Sequence, residues 1–225
     1  AEQNDQQVTI TFKVAGEEKK ITADYCVVCV GRKPNTYEMG LEHVGIQMDQ
    51  RGLIKVDAQS RTTVPNIFAI GDIVPGPALA HKASYEGKIA AEAISGSKAV
   101  IDYRAMPAVC YTDSAIATTG LTLKEARDHN LDAVKAQFPF AANGRAISMD
   151  SATGFVRLIF ERSSRALLGA QMVGPHVSDL ISELTLAIET GTTIDDLALT
   201  IHPHPSISEA VLDAADVGLG LPTNI

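Results

Sequence analysis

The segment "QVTITFKV" alternates apolar and polar residues, the signature of a half-buried strand. After the polar turn "AGEEKK" comes "ITADYCVVCVG", whose apolar residues stop alternating, so the pair predicts a hairpin that runs into a buried strand. Cys26 and Cys29 stand three residues apart on that strand and point to opposite faces, which argues against a shared metal or redox role. "GRKPN" then breaks the strand as a loop. Short extended pieces are expected at 52–57 and 60–64. Ile67–Ile70 is a continuous apolar run ending in Gly71–Asp72, read as a buried strand whose carboxyl end reaches a crevice. Gly71 allows close backbone approach there and Asp72 offers a carboxylate. On local evidence Asp72 could equally be a surface-turn aspartate. "LAHKASYEGKIAAEAISG" predicts a helix closed by Gly96, with its unpaired N–H groups starting against the same crevice.

Near residue 103 the pattern changes. "AVCYT" and "AIATTG" read as strands, and "TLKEARDHN" as a short helix with Thr122 and Glu125 as a capping box and Asn130 as its left-handed stop. "LDAVKAQFPF", "GFVRLIFE" and "ALLGAQMVG" are three further strand-like segments. "SDLISELTLAIETG" puts Leu180, Ile181, Leu184, Ala187 and Ile188 on one helical face and ends at Gly191. Residues 103–225 therefore predict a separate α+β unit, an antiparallel sheet with helices on one side.

Composition narrows the function. The 225 residues are 45% hydrophobic and 20% charged, a profile of globular chains. Lys and Arg total 19 against 27 Asp and Glu, and a net charge of −8 disfavours a nucleic-acid partner. No apolar run is long enough for a membrane span and no signal segment is visible, so a cytoplasmic location is expected. The three cysteines, an odd number without framework spacing, fit a reducing compartment. The chain opens at Ala1 inside a strand-like segment and reads as a piece of something longer.

The chemistry concentrates in "IHPHPSISEA", residues 201–210. Two X-Pro bonds impose an extended path, so His202 and His204 project to one side. "SISE" predicts a capping box, with Ser206 as N-cap and Glu209 reaching back from the third helical position. Two imidazoles fall short of a metal's usual ligand number, so no metal site is expected. Ordinary loop histidines and an acid/base role both remain open on these residues, histidine titrating near working pH.

Four segments in order, "VCVGRKPNT", "TTVPNIFAIGDIVPGPALAHKASYEG", "YTDSAIATTGLTLKEA" and "HPHPSISEAVLDAA", resemble the C-terminal half of the flavin disulfide reductases over essentially the whole chain. His202 favours the dihydrolipoamide-oxidising branch over glutathione reductase. The lack of a cysteine pair in the tail disfavours mercuric reductase and the larger thioredoxin reductases.

The resemblance divides the chain into a remnant of an NAD-binding domain (1–34), the end of an FAD-binding and central region (35–102), and an interface domain (103–225). It implies that Asp72 hydrogen-bonds the ribityl chain of FAD and that the backbone of Ala78, Leu79, Ala80 and His81 lies along the flavin. Gly31 would belong to the NAD site, His204 would be the catalytic acid/base, and Glu209 its orienting carboxylate. It further implies a cis His204–Pro205 bond and a homodimer in which His204 faces the other subunit's flavin and disulfide. Lipoyl groups and 2-oxoacid dehydrogenase complex components would be partners of the whole enzyme. Two features depart from the family. "TDSA" at 112–115 replaces a common "THPE", and neither a G-x-G-x-x-G loop nor the redox cysteine pair is present. A non-catalytic dimerisation module, or part of another flavin disulfide reductase, are the alternative readings.

Overall fold

The computed structural model describes residues 1–4 and 6–224. The predicted hairpin is present: β1 (Glu2–Gln3), β2 (Val8–Val14) and β3 (Glu17–Ala23) form an antiparallel sheet in that order. Val14 pairs with Glu17, so the turn is only Ala15–Gly16. Both turn residues have positive φ (51° and 88°), as a two-residue hairpin matching the strand twist requires. "EEKK", expected in the turn, belongs instead to β3, an edge strand exposed along its whole length.

The buried strand expected to follow is not formed. The ladder stops at Ala23, and Tyr25, Val27, Val28 and Val30 are 80–88% exposed. A strand apolar on both faces is stable only between two covering layers, and no described element of the chain covers this one. Cys26 and Cys29 are accordingly free and exposed rather than on opposite faces of a strand.

The strand expected over Ile67–Ile70 is also absent as a ladder. Phe68 makes an isolated bridge with Arg61, Ala69 N–H donates to Ser60, and Thr62 N–H donates to Ile67. The extended pieces at 52–57 and 60–64 likewise make only single bridges, Met48–Ile54 and Val56–Thr62. These turns close on a small core of Ile46, Ile54, Ala69 and Val74, too small to support a regular sheet. Gly71–Ile73 then form one turn of 3-10 helix, and α1 (Ala80–Ile94) follows, ending before Gly96 at φ 90°.

The C-terminal region is built on a five-stranded antiparallel sheet of β4 (Ala108–Cys110), β5 (Ala115–Gly120), β6 (Ala133–Pro139), β7 (Phe155–Glu161) and β8 (Leu167–Gly174), in the order β4-β5-β8-β7-β6. Alternation along β7 sorts its side chains. Val156, Leu158 and Phe160 enter the main core, whereas Ile159 faces a second cluster with Ala126 and Ala133. Ala126 comes from α2 (Leu123–Asp128), whose start carries the expected Thr122–Glu125 capping box and which is followed by Asn130 at φ 60°.

The two long helices cover the main core. α4 (Val177–Thr190) buries Val177, Ile181, Leu184, Ala187 and Ile188 and packs on β5 and β8. α6 (Glu209–Leu219) buries Ala210, Val211, Ala214 and Ala215 and packs on β6 and β7. Alanines on that face let the α6 backbone approach the sheet closely. α3 (Gly144–Ser148) and α5 (Ile194–Leu199) are short; Asn143 caps the first, and a Thr193–Asp196 capping box opens the second. In the departing "TDSA" segment, the Thr112 hydroxyl donates to the Ser114 carbonyl at 2.8 Å and the Asp113–Ser114 peptide is cis. No described helix is long and apolar enough to cross a membrane.

Candidate functional site

The loop between α5 and α6 carries both histidines, and it is fixed at three points. His202 is 5% exposed at its side chain, with Nδ1 2.9 Å from the Thr200 carbonyl and Nε2 3.0 Å from Glu183 Oε1 on α4. Asn143, itself buried, donates through Nδ2 to the Ser206 carbonyl at 3.0 Å while its Oδ1 accepts from Ala146 N–H at 2.9 Å. The third point is the capping box: Ser206 N–H donates to Glu209 Oε2 at 2.7 Å, and Glu209 N–H donates to Ser206 Oγ at 3.3 Å. Regular helix starts at Glu209 rather than just after Ser206, yet the reciprocal bonds are made. The His204–Pro205 bond is cis.

With one carboxylate oxygen committed to the cap, the other serves the imidazole. His204 Nδ1 lies 2.9 Å from Glu209 Oε1, and the two side chains are 79% and 21% exposed. A carboxylate at Nδ1 favours the tautomer with the proton there, which leaves the Nε2 lone pair on an exposed ring. That is the arrangement of an oriented general base. Burial pushes the Glu209 carboxyl up, but the Ser206 N–H, the hydrogen bond with His204 and the charges of His204 and His202 outweigh it and hold it below the usual range. Its folded value being depressed, Glu209 contributes stability above the ordinary carboxylate range, and that contribution is lost as pH falls through the folded value.

One helical turn further on, Asp213 is buried in the wall of the pocket that His204, Glu209, Asn143 and Asn224 also line. Burial pushes its carboxyl up; the 2.8 Å hydrogen bond from Asn224 Nδ2 opposes this, and the charges of Glu209 and Asp216 add to it. The raised value means its stabilising contribution is complete below the ordinary aspartate range and is lost as pH rises through the folded value. Asp213→Asn keeps an oxygen for Asn224 and removes the charge. It is expected to raise the melting temperature at pH 7 by a few degrees and to leave it unchanged well below the ordinary aspartate range, where the carboxyl is protonated folded and unfolded alike. Melting curves under the two conditions check this, and a lower melting temperature at pH 7 would refute it.

The second group surrounds Asp72. Its carboxylate is 40% exposed and pairs through Oδ2 with Arg32 Nη1 at 2.9 Å, which brings the "GRKP" loop, with Gly31 at φ 81°, beside the Gly-Asp turn. Ala78, Ala80 and His81 are exposed and Leu79 half-buried at the start of α1. That helix has no side-chain cap and no acidic residue in its first turn, so its leading N–H groups have no side-chain acceptor. His81 Nε2 lies 2.7 Å from the Pro107 carbonyl and ties α1 to the strand region beyond it. Beneath this surface, Lys82 and Glu86 form a buried ion pair on the Gly71 peptide. Among the described residues no hydrogen bond or ion pair joins the Asp72 group to His204, and no group of three His, Cys, Asp or Glu side chains is placed to hold a metal.

Sequence reasoning did not single out Arg32, Lys82, Glu86, Asn143, Glu183 or Asp213. The only local signal was the i,i+4 spacing of Lys82 and Glu86, which reads as an ordinary solvent-facing helix pair.

The family descriptions "Pyridine nucleotide-disulphide oxidoreductase, dimerisation domain" and "Pyridine nucleotide-disulphide oxidoreductase" match residues 106–215 and 1–87. The chain belongs to the pyridine nucleotide-disulphide oxidoreductases. Among curated relatives, the dihydrolipoyl dehydrogenase of Geobacillus stearothermophilus is 55% identical over 225 residues, 100% of this chain and 48% of that protein. That of Halobacterium salinarum is 48% identical over 205 residues, covering 91% and 43% of the two chains. Of solved structures, LpdA from Mycobacterium tuberculosis matches with a TM-score of 0.81 at 30% identity, over 88% of this chain and 43% of that one. The HOCl-induced flavoprotein disulfide reductase RclA from Escherichia coli matches with a TM-score of 0.85 at 25% identity, over 95% and 49%. The chain spans about half the length of the curated relatives it matches.

Proposed function

We propose that this chain is the C-terminal half of an NAD-dependent dihydrolipoyl dehydrogenase, to which it supplies the dimer interface, one wall of the flavin site and the catalytic base. The observation that carries the reading is the His204–Glu209 pair: an exposed imidazole whose Nδ1 is held 2.9 Å from a carboxylate that is itself fixed by the Ser206 cap. The 55% identity to a dihydrolipoyl dehydrogenase over the whole chain supports this branch over the other reductases.

His204 Nε2 takes the proton of a dihydrolipoamide thiol. The sulfur becomes a thiolate, the form able to attack a disulfide, and the imidazole becomes an imidazolium held by Glu209. The residues around Asp72 fit an FAD: an accessible carboxylate can accept from ribityl hydroxyls, and the uncapped start of α1, residues 78–81, offers N–H groups along the ring. When bound, FAD supplies a two-electron acceptor between the dithiol and NAD⁺. Gly31, at φ 81° in its loop, is proposed at the NAD site. The domain limits 1–34, 35–102 and 103–225 belong to the same reading, as do the homodimer, the lipoyl groups and 2-oxoacid dehydrogenase complex components as partners, and a cytoplasmic setting, which the three free, exposed thiols favour.

The test is Glu209→Gln in the full-length enzyme. Glutamine also serves at the third position of a capping box, so the melting temperature should stay within about 2 °C, while loss of the charge at Nδ1 should lower kcat/KM for dihydrolipoamide by about tenfold or more and shift the acidic limb of its pH profile to lower pH. Glu209→Ala should lower both activity and melting temperature. A Glu209→Gln enzyme with an unchanged pH profile would remove the pair from the mechanism.

A further inference from the structure

The buried Lys82–Glu86 pair has no part in the chemistry described so far, and its geometry is unlike that of the other i,i+4 ion pair among the described residues. Lys124–Asp128 lies on the surface with side chains 83% and 59% exposed, whereas Lys82 and Glu86 are 1% and 5% exposed with Nζ 2.7 Å from Oε1. Both members also hold one residue of the neighbouring turn. Glu86 Oε2 accepts from Gly71 N–H at 2.7 Å, and Lys82 Nζ donates to the Gly71 carbonyl at 3.2 Å. A buried ion pair adds little stability over apolar residues of the same volume. What it adds here is direction, because the carboxylate fixes the N–H and the ammonium the carbonyl of Gly71, the residue immediately before Asp72.

The backbone is shaped to this grip. Gly71 has φ 77° and would bring a Cβ to 3.2 Å from Ala83 Cβ; Gly76, at φ 115°, would bring one to 2.6 Å from Lys82 Cε. Residues 71–76 therefore meet α1 at both ends, Gly71 against Ala83 and Gly76 against the Lys82 stem, and the turn and the start of α1 are held as one body. Asp72 stands on its outer side, 40% exposed at its side chain.

Building on the flavin reading above, we propose that Lys82 and Glu86 are positioning residues for FAD: by clamping Gly71 from both sides they set the Asp72 carboxylate in register with the first turn of α1, so that ribityl and ring contacts can be made together.

The experiment compares FAD dissociation constants of the full-length apoprotein, followed by flavin fluorescence, with the melting temperature of the same apoprotein. Four proteins are needed: wild type, Asp72→Ala, the pair Lys82→Met/Glu86→Leu, and all three substitutions together. Met and Leu fill the volume without charge but leave the Gly71 N–H and carbonyl without their partners, so the apoprotein should fold with a lowered melting temperature while FAD binds about tenfold more weakly. In the Asp72→Ala background the same pair should cost little further affinity, because its effect is exerted through Asp72. Unchanged affinity in the folded pair variant would overturn the proposal, and so would losses that add in full, which belong to a purely structural ion pair. If Asp72→Ala alone leaves FAD binding intact, the flavin reading fails, and the inference with it; the single variant tells that failure apart from the others. Should Lys82→Met/Glu86→Leu not fold, Glu86→Gln, which retains an acceptor of the same shape, carries the same comparison.

Discussion

His204→Ala in the full-length enzyme is expected to lower turnover with dihydrolipoamide by about 10²–10⁴, the range a positioned acid/base contributes. The loss should fall on chemistry and leave folding alone. The imidazole is 79% exposed, and its recorded bond is to a carboxylate that keeps its second oxygen on Ser206 when the ring is gone. His202 is the contrasting case. Only 5% exposed and held between Thr200 and Glu183, it anchors the loop instead of meeting a substrate, so His202→Ala should affect the melting temperature more and turnover less. Subunit exchange separates a base acting across the dimer from one acting within a chain. Mixing full-length His204→Ala enzyme with full-length enzyme lacking a redox cysteine should restore activity at one of the two sites of each heterodimer. No recovery after demonstrated exchange would place the base in its own subunit.

Phe138→Ala should be the most destabilising single truncation in the C-terminal sheet, by about 3–5 kcal/mol, read as a lower denaturant midpoint at constant slope. Phe138 is 1% exposed on β6, opposite Val156 in register and in one core with Ala210, Val211, Ala214 and Ala215 of α6. Those alanines bring α6 close to the sheet and have no long side chain with which to fill a cavity, so little of the lost volume can be recovered. Because α6 begins at Glu209, weaker packing beneath it should also loosen the His204 pair, and a part of the activity loss should track the fraction unfolded. A loss below about 1.5 kcal/mol would mean the core closes over the gap.

Where the polar and apolar periods were long and the caps explicit, the sequence was enough to see the fold. β6, β7, β8 and α4, the Thr122–Glu125 cap and the reciprocal Ser206–Glu209 bonds all stand where patterning puts them. Failures came where an apolar run needs neighbours that the chain does not supply. Tyr25–Val30 is strand-like in composition yet exposed and irregular, and Ile67–Ile70 closes on a core of four buried residues without a ladder. In the site, His204 and Glu209 were legible because a cap fixes their separation along the chain. Lys82, Asn143, Glu183 and Asp213 were not, since burial decides what a charged or amide side chain does and burial is set by residues distant in sequence.

The edge strand β3 has a bearing on how the chain behaves in solution. An edge with unpaired backbone groups invites another strand, and apolar edges propagate into fibres. Here Glu17, Glu18, Lys19 and Lys20 place a charge at four successive positions, on both faces of the ribbon, while Thr22 on the same strand is tied by a 3.1 Å hydroxyl contact to Thr9 of the neighbouring β2. A second copy laid along that edge would have to desolvate those charges before gaining a single backbone bond, so the hairpin ends its sheet at β3 and protects the protein from growing there.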